Sequence, residues 1–163
     1  MANQVEQPAQ RDLVISRILN APRELVFKAW TDPKHIAKWW GPKGFTAPVC
    51  KLDVRVGGAI LIHMRGPDGV VYPMHGVFRE IIVPERLVFI SKALEDEKGN
   101  AGFEVVTTVT FDEHNGKTKL SLHAAVTVLK PTSEVAKSLG GMEVGWNQSL
   151  DRLTALVEEA TIS

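Results

Sequence analysis

The chain is poor in the groups that mark a dedicated chemistry. It has one cysteine in 163 residues, which excludes an intramolecular disulfide and suits a reducing, cytoplasmic setting. Cys50 lies in the apolar-alternating segment from Val49 to Val56, so it reads as a buried structural thiol rather than a reactive one. Nineteen basic and nineteen acidic residues leave no formal net charge, and no block of like charge occurs. A sequence-independent nucleic-acid binder needs a basic surface and is not expected. No stretch reaches the roughly 18 apolar residues of a spanning helix. Residues 1–11 are polar, lack the apolar core of a signal peptide and are expected to fray. There is no nucleophile elbow, phosphate loop or dinucleotide fingerprint. The five histidines are scattered. Zinc needs three or four convergent ligands, so neither a metal nor a cofactor is expected.

What is present is a pattern that changes period along the chain. Asp12 to Leu19 alternates as a strand. Asn20-Ala21-Pro22 then suggests a capped helix start, and Pro22 to Trp30 carries helical spacing. Asp32-Pro33 opens a second short helix through Trp39 or Trp40, ended by Gly41-Pro42-Lys43-Gly44. From Val49 the period is two. Strands are expected over Val49–Val56, Gly58–Arg65, Val70–Val83, Arg86–Ala93, Phe103–Asp112 and Lys117–Val128, with Gly, Pro, Asn and Asp clusters between them. Thr132 or Ser133 can cap a further helix, and Gly140-Gly141 should interrupt it near Met142. The length and this order predict one α+β domain over residues 12–161.

Turn chemistry fixes register, and register fixes faces. Asn115-Gly116 is a two-residue hairpin signal that pairs His114 with Lys117. Phe111 then faces Leu120, Val109 faces Leu122, and Thr107 faces Ala124. Pro67-Asp68-Gly69 suits a three-residue loop, placing Met64 opposite Tyr72 and Ile62 opposite Met74. Pro84-Glu85, read as a two-residue loop, pairs Ile82 with Leu87 and Glu80 with Phe89, and puts Glu80 on the inner face beside Phe78. A buried carboxylate is costly, so a bulge turning Glu80 outward, or a structural hydrogen bond, is the favoured reading.

The terminal helix carries the site expectation. At about 100° per residue, Met142, Trp146, Ser149, Leu150, Leu153, Leu156 and Val157 share one wedge of roughly 120°, with Gly145 at its margin. Leu150, Leu153, Leu156 and Val157 are the sealing half. Gly145 and Ser149 leave a gap in the other half, which suggests a ligand cavity under Met142, Gly145, Trp146 and Ser149. Met64, Tyr72, Met74 and Thr107 would form its opposite wall. Trp40 near the mouth and Phe78, Glu80 and Phe89 on the inner face complete the candidate ligand contacts. Trp30 reads as core.

The motifs resemble a known family. They are Ala21-Pro22-Arg23-Glu24-Leu25-Val26-Phe27-Lys28-Ala29-Trp30-Thr31-Asp32-Pro33, Trp39-Trp40-Gly41-Pro42, Asp53-Val54-Arg55-Val56-Gly57-Gly58, Gly69 with Gly76, Pro84-Glu85-Arg86-Leu87, and Gly145-Trp146 followed by Leu150-Asp151-Arg152-Leu153. In this order, over residues 12–160, they resemble the family related to the activator of the ninety-kilodalton heat-shock-protein ATPase. That family lies within the START-like (SRPBCC) superfamily of lipid-transfer domains, birch-pollen allergens and polyketide cyclases. The resemblance implies a helix-grip fold, a curved antiparallel sheet wrapped around a long C-terminal helix, with a hydrophobic cavity between them. It implies no universal catalytic residue. The family's co-chaperones carry a further N-terminal domain for which this chain has no room, so a co-chaperone role is not expected.

Three readings follow. The first is binding of a small hydrophobic or amphipathic ligand in the cavity, without catalysis. The second is a cyclase- or hydrolase-type enzyme using the same cavity, with Tyr72 and Glu80 as its acid–base pair. The third is an interaction protein, a chaperone partner or a homodimer using the outer sheet face.

Overall fold

A computed structural model describes residues 10–162. The order within them is β1 (Gln10–Leu19), α1 (Arg23–Thr31), α2 (Pro33–Trp39), β2 (Thr46–Leu52), β3 (Ala59–Arg65), β4 (Val71–Ile82), β5 (Arg86–Ala93), β6 (Phe103–His114), β7 (Lys117–Val128), α3 (Ser133–Gly140) and α4 (Met142–Ile162). The strands form one antiparallel sheet in the order β1-β7-β6-β5-β4-β3-β2. The N-terminal segment expected to fray lies, for residues 1–9, outside the described residues. Gln10 and Arg11 pair with Thr127 and Val126 in β1–β7.

Local chemistry accounts for most boundaries. Asp32 caps α2 by accepting the Lys34 N–H, and Pro33 takes the first helical position. Thr132 caps α3 by accepting the Val135 N–H at 3.1 Å. Gly140-Gly141 separates α3 from α4 as the sequence suggests. The start of α1 differs: Pro22, not Asn20, is the cap residue, and no side chain caps that end. The Asn20 N–H instead donates to the Glu158 carboxylate at 2.9 Å, tying the strand end to α4.

The β6–β7 and β3–β4 hairpin registers are those the turns dictate. Asn115 and Gly116 take φ of 53° and 81°, and His114 pairs with Lys117, Phe111 with Leu120 and Val109 with Leu122. Met64 pairs with Tyr72 and Ile62 with Met74. The β4–β5 hairpin is a correction. Ile82 pairs with Arg86 and Ile81 with Leu87, one residue off the expected register, so the loop has three residues. A bulge between Phe78 and Glu80 shifts the register by a further residue, so that Phe78 pairs with Phe89. The bulge places Glu80 at a half-exposed position, where Arg86 Nε donates to its carboxylate at 2.6 Å.

Inner-face residues of β6 and β7 form the densest core. Val109, Phe111, Leu120, Leu122 and Ala124 are completely buried, and Leu150, Leu153 and Val157 of α4 join them. α1 lies on β6 and β7, α2 lies on β2, and α4 runs beside α1, α2 and β1. Arg17 of β1 reaches α4, donating to Asp151 at 2.5 Å and to the Asn147 carbonyl at 3.1 Å.

Candidate functional site

Four tryptophans and two phenylalanines meet where α1, α2 and α4 converge over the sheet. Trp30 stacks on Trp146 at 6.0 Å and meets Trp39 edge-on at 4.7 Å. Trp40 meets Trp146 at 5.4 Å and Phe89 at 6.4 Å. Phe111 closes the far side, 6.3 Å from Trp30. The sequence supplies this cluster through helical spacing: Trp30 ends α1, and the Trp39-Trp40 pair ends α2 so that one ring points to the core and the next to the rim. Trp39 is fully buried and Trp40 half-buried.

An apolar space opens between this cluster and strands β2 to β5. It is lined by Trp30, Ile36, Trp40, Leu52, Ile60, Ile62, Met74, Phe78, Leu87 and Phe89. None of these residues is charged. The space open to the centre of a water-sized sphere is about 10 Å³, room for about one water. Trp40, Leu52 and Met74 are half-buried and form its rim, while the other seven are buried.

Of the residues singled out in the sequence, Trp40, Met74, Phe78 and Phe89 line this space. Met64 lies beside the Gly41 turn, one strand position nearer the hairpin tip. Tyr72 is 41% exposed there, with its ring 6.1 Å from Phe45. Glu80 holds Arg86. Thr107 is buried in β6, opposite Phe89 and Ala124. Trp146 touches the cavity walls through Trp30 and Trp40, and Met142 packs half-buried against the core.

The small residues of α4 serve a different neighbour from the one expected. Ser149 is buried and its Oγ accepts the Gly41 N–H at 3.1 Å. The position where a Cβ would stand on Gly145 is 3.6 Å from Pro42 Cγ. The gap in the helix stripe is therefore filled by the turn after α2. Gly41 has φ +106°, a conformation that favours glycine. Arg152 completes the joint. Its guanidinium donates to the carbonyls of Lys38 at 3.0 Å, Gly41 at 2.9 Å and Pro42 at 3.2 Å, capping the C-terminal end of α2 with a cation. Burial lowers the Arg152 pKa, and the group remains a cation at neutral pH.

Sequence reasoning missed Trp30, Ile36, Leu52, Ile60, Ile62 and Leu87 as lining residues. Ile62 was within reach, because its register partner is Met74. Ile36 of α2 was not, because nothing in the helix spacing says which strands it covers.

No titratable side chain is among those lining the cavity. Burial pushes the Cys50 thiol up to about 11, with the nearby negative charge of Asp32 adding to it, so the thiol is protonated at neutral pH. His75 pairs with Glu95 and His123 with Asp12 on the outer face. Among the described residues, no group of three or more His, Cys, Asp or Glu could hold a metal ion, and no helix is long and apolar enough to cross a membrane.

Comparison with known proteins decides the family. A model of the family described as Activator of Hsp90 ATPase homolog 1-like protein matches residues 20–158. The chain belongs to this family. Solved structures agree. A protein from Chromobacterium violaceum is 30% identical, with 90% of this chain and 96% of that chain covered and a TM-score of 0.72. A protein from Rhizobium leguminosarum is 26% identical over 92% and 95% of the two chains, with a TM-score of 0.76. An AHSA1 protein from Silicibacter pomeroyi is 25% identical over 94% and 100%, with a TM-score of 0.72. No curated protein matches the chain. The α+β sheet-and-helix architecture is thus that of the family, and the two short helices, the tryptophan cluster and all but the last four residues of the terminal helix lie within its matched span.

Proposed function

We propose that this domain binds a small, predominantly apolar molecule in the space between α1, α2 and strands β2 to β5. The observation that carries the reading is the lining itself: ten side chains, none charged, with three of them at a half-buried rim. Small-molecule sites are concave, mostly apolar and sparing in polar groups. In its closed form the space holds about one water, so a ligand enters by displacing Trp40 and Met74 at the rim. Methionine suits that task, being unbranched and adaptable. Met64, Tyr72 and Trp146 neighbour this rim rather than line the space, and in the bound form they would be its outer contacts.

The enzyme reading has less support. Tyr72 and Glu80 are eight positions apart on β4, roughly 26 Å at 3.3 Å per residue, and each has its own partner. The chaperone-partner reading rests on the family's description alone, and a chaperone ATPase assay would address it.

Native mass spectrometry of the purified protein, with displacement of a lipophilic dye, tests the binding reading. One retained or displaceable apolar molecule per chain is expected. No retained mass, no dye binding and unshifted tryptophan resonances would sink it.

A further inference from the structure

One residue of the cavity wall carries a polar atom with nothing to bond. Trp30 is 2% exposed, and its indole Nε1 is the one buried side-chain nitrogen or oxygen without a hydrogen-bond partner among the described residues. Its neighbour Trp39 shows the ordinary arrangement, donating Nε1–H to the Ala29 carbonyl at 2.9 Å. The two rings touch edge-on, yet only one N–H is satisfied. Buried polar groups are paired in the great majority of cases, and leaving one unpaired costs about 1–3 kcal/mol. A cost of that size at a residue lining the apolar space between helices and sheet calls for a partner from outside the chain.

We propose that the ligand is a neutral apolar molecule bearing a single hydrogen-bond acceptor, such as a ketone, ester or ether oxygen, and that the Trp30 indole N–H holds that acceptor. The proposal rests on the cavity reading above and narrows it. The lining sets the chemistry from both sides. Its side-chain polar hydrogens are the indole N–H groups of Trp30 and of the half-buried rim residue Trp40, and it contains no carboxylate, amide or hydroxyl. A ligand acceptor therefore finds a donor, while a ligand hydroxyl or amine would find no side-chain oxygen to receive it. A carboxylate would be buried with a single donor and no counter-charge, which desolvation opposes strongly. A water is a poor permanent occupant, since it needs two to four polar partners.

Acetophenone and α-methylstyrene test this, because they differ only by C=O against C=CH2, with benzoate as the charged comparison. Titration is followed by the indole N–H resonances of the tryptophans in the intact protein, with the Trp30 signal assigned by its through-space contacts to Trp39 and Phe89. Acetophenone is expected to move the Trp30 indole proton downfield, α-methylstyrene not to, and benzoate to bind worst. In Trp30→Phe, the affinity of acetophenone relative to α-methylstyrene should fall about 2- to 12-fold, the value of one net hydrogen bond. If both probes bind and neither the indole shift nor the Trp30→Phe change appears, the acceptor proposal is overturned and the cavity reading stands. An indole proton shifted upfield and unmoved by acetophenone would place the N–H on a neighbouring ring face and overturn it too. If no probe perturbs the cavity residues, both readings fall. Should Trp30→Phe not fold, the indole shifts of the unaltered protein decide.

Discussion

The two halves of the inner sheet face are covered in different ways. Over β6, β7 and β1 the cover is α1 together with the C-terminal half of α4, and the contact positions are sealed: Leu120, Leu122, Leu150 and Leu153 expose 1% or less. Over β2 to β5 the cover is the seven-residue α2 and the turn that follows it. Along β4 the inner face grades from buried Phe78 through half-buried Met74 to exposed Tyr72. The same alternation therefore yields a closed core on one side and a small apolar space with a half-buried rim on the other. What differs is the length of helix laid over the strands, not the residues' hydrophobicity. Cavities form where a short element must cover a long strand.

The comparison can be broken most directly by truncating one side chain in each half. Leu153→Ala should cost about 2–5 kcal/mol, because the sealed half cannot collapse around the loss. Met74→Ala should cost less than about 2 kcal/mol, since the methionine already borders open space. Urea denaturation measures both, and equal losses would refute the contrast. Arg152→Ala comes next, with an expected loss of about 2 kcal/mol as the carbonyls of the α2 end and the turn after it lose a charged donor. Its distinguishing mark is local: hydrogen exchange should rise in α2 while β6 and β7 stay protected. Ser149→Ala should cost about 1 kcal/mol by leaving the buried Gly41 N–H without its acceptor. An unchanged midpoint there would return Ser149 to the pocket wall. Gly145→Ala should raise stability slightly, by about 0.5–1 kcal/mol, because alanine is the better helix former and its methyl would meet Pro42 at an ordinary distance. A fall in the thermal midpoint would mean that the α4–turn contact is tighter than 3.6 Å suggests.

Much of the fold was legible because its signals are local. The Asn115-Gly116 turn set the β6–β7 register down to Thr107 opposite Ala124, and Thr132 and Gly140-Gly141 marked the α3 and α4 boundaries. The β4–β5 loop was misread by one residue because Pro84-Glu85 looks like a two-residue turn, and only the bulge at Glu80 reconciles the faces. The site was legible in part. Alternation put Met74, Phe78 and Tyr72 on the inner face, but it could not say that the hairpin tip carrying Tyr72 extends past the helices. The wedge on α4 showed that Gly145 and Ser149 leave room, but not that Gly41 and Pro42 take it.

The sequence by itself determined the family, the order of elements, the strand registers set by tight turns, and which half of α4 seals the core. These follow from periodicity and turn chemistry, which act over a few residues. The tertiary structure alone decided that α2 lies between β2 and α4, that Arg152 fastens it there, and that Trp30, whose buried N–H has no partner, lines the remaining space. Those outcomes depend on how far each element reaches across the sheet, and reach is a property of three-dimensional packing that no local pattern encodes.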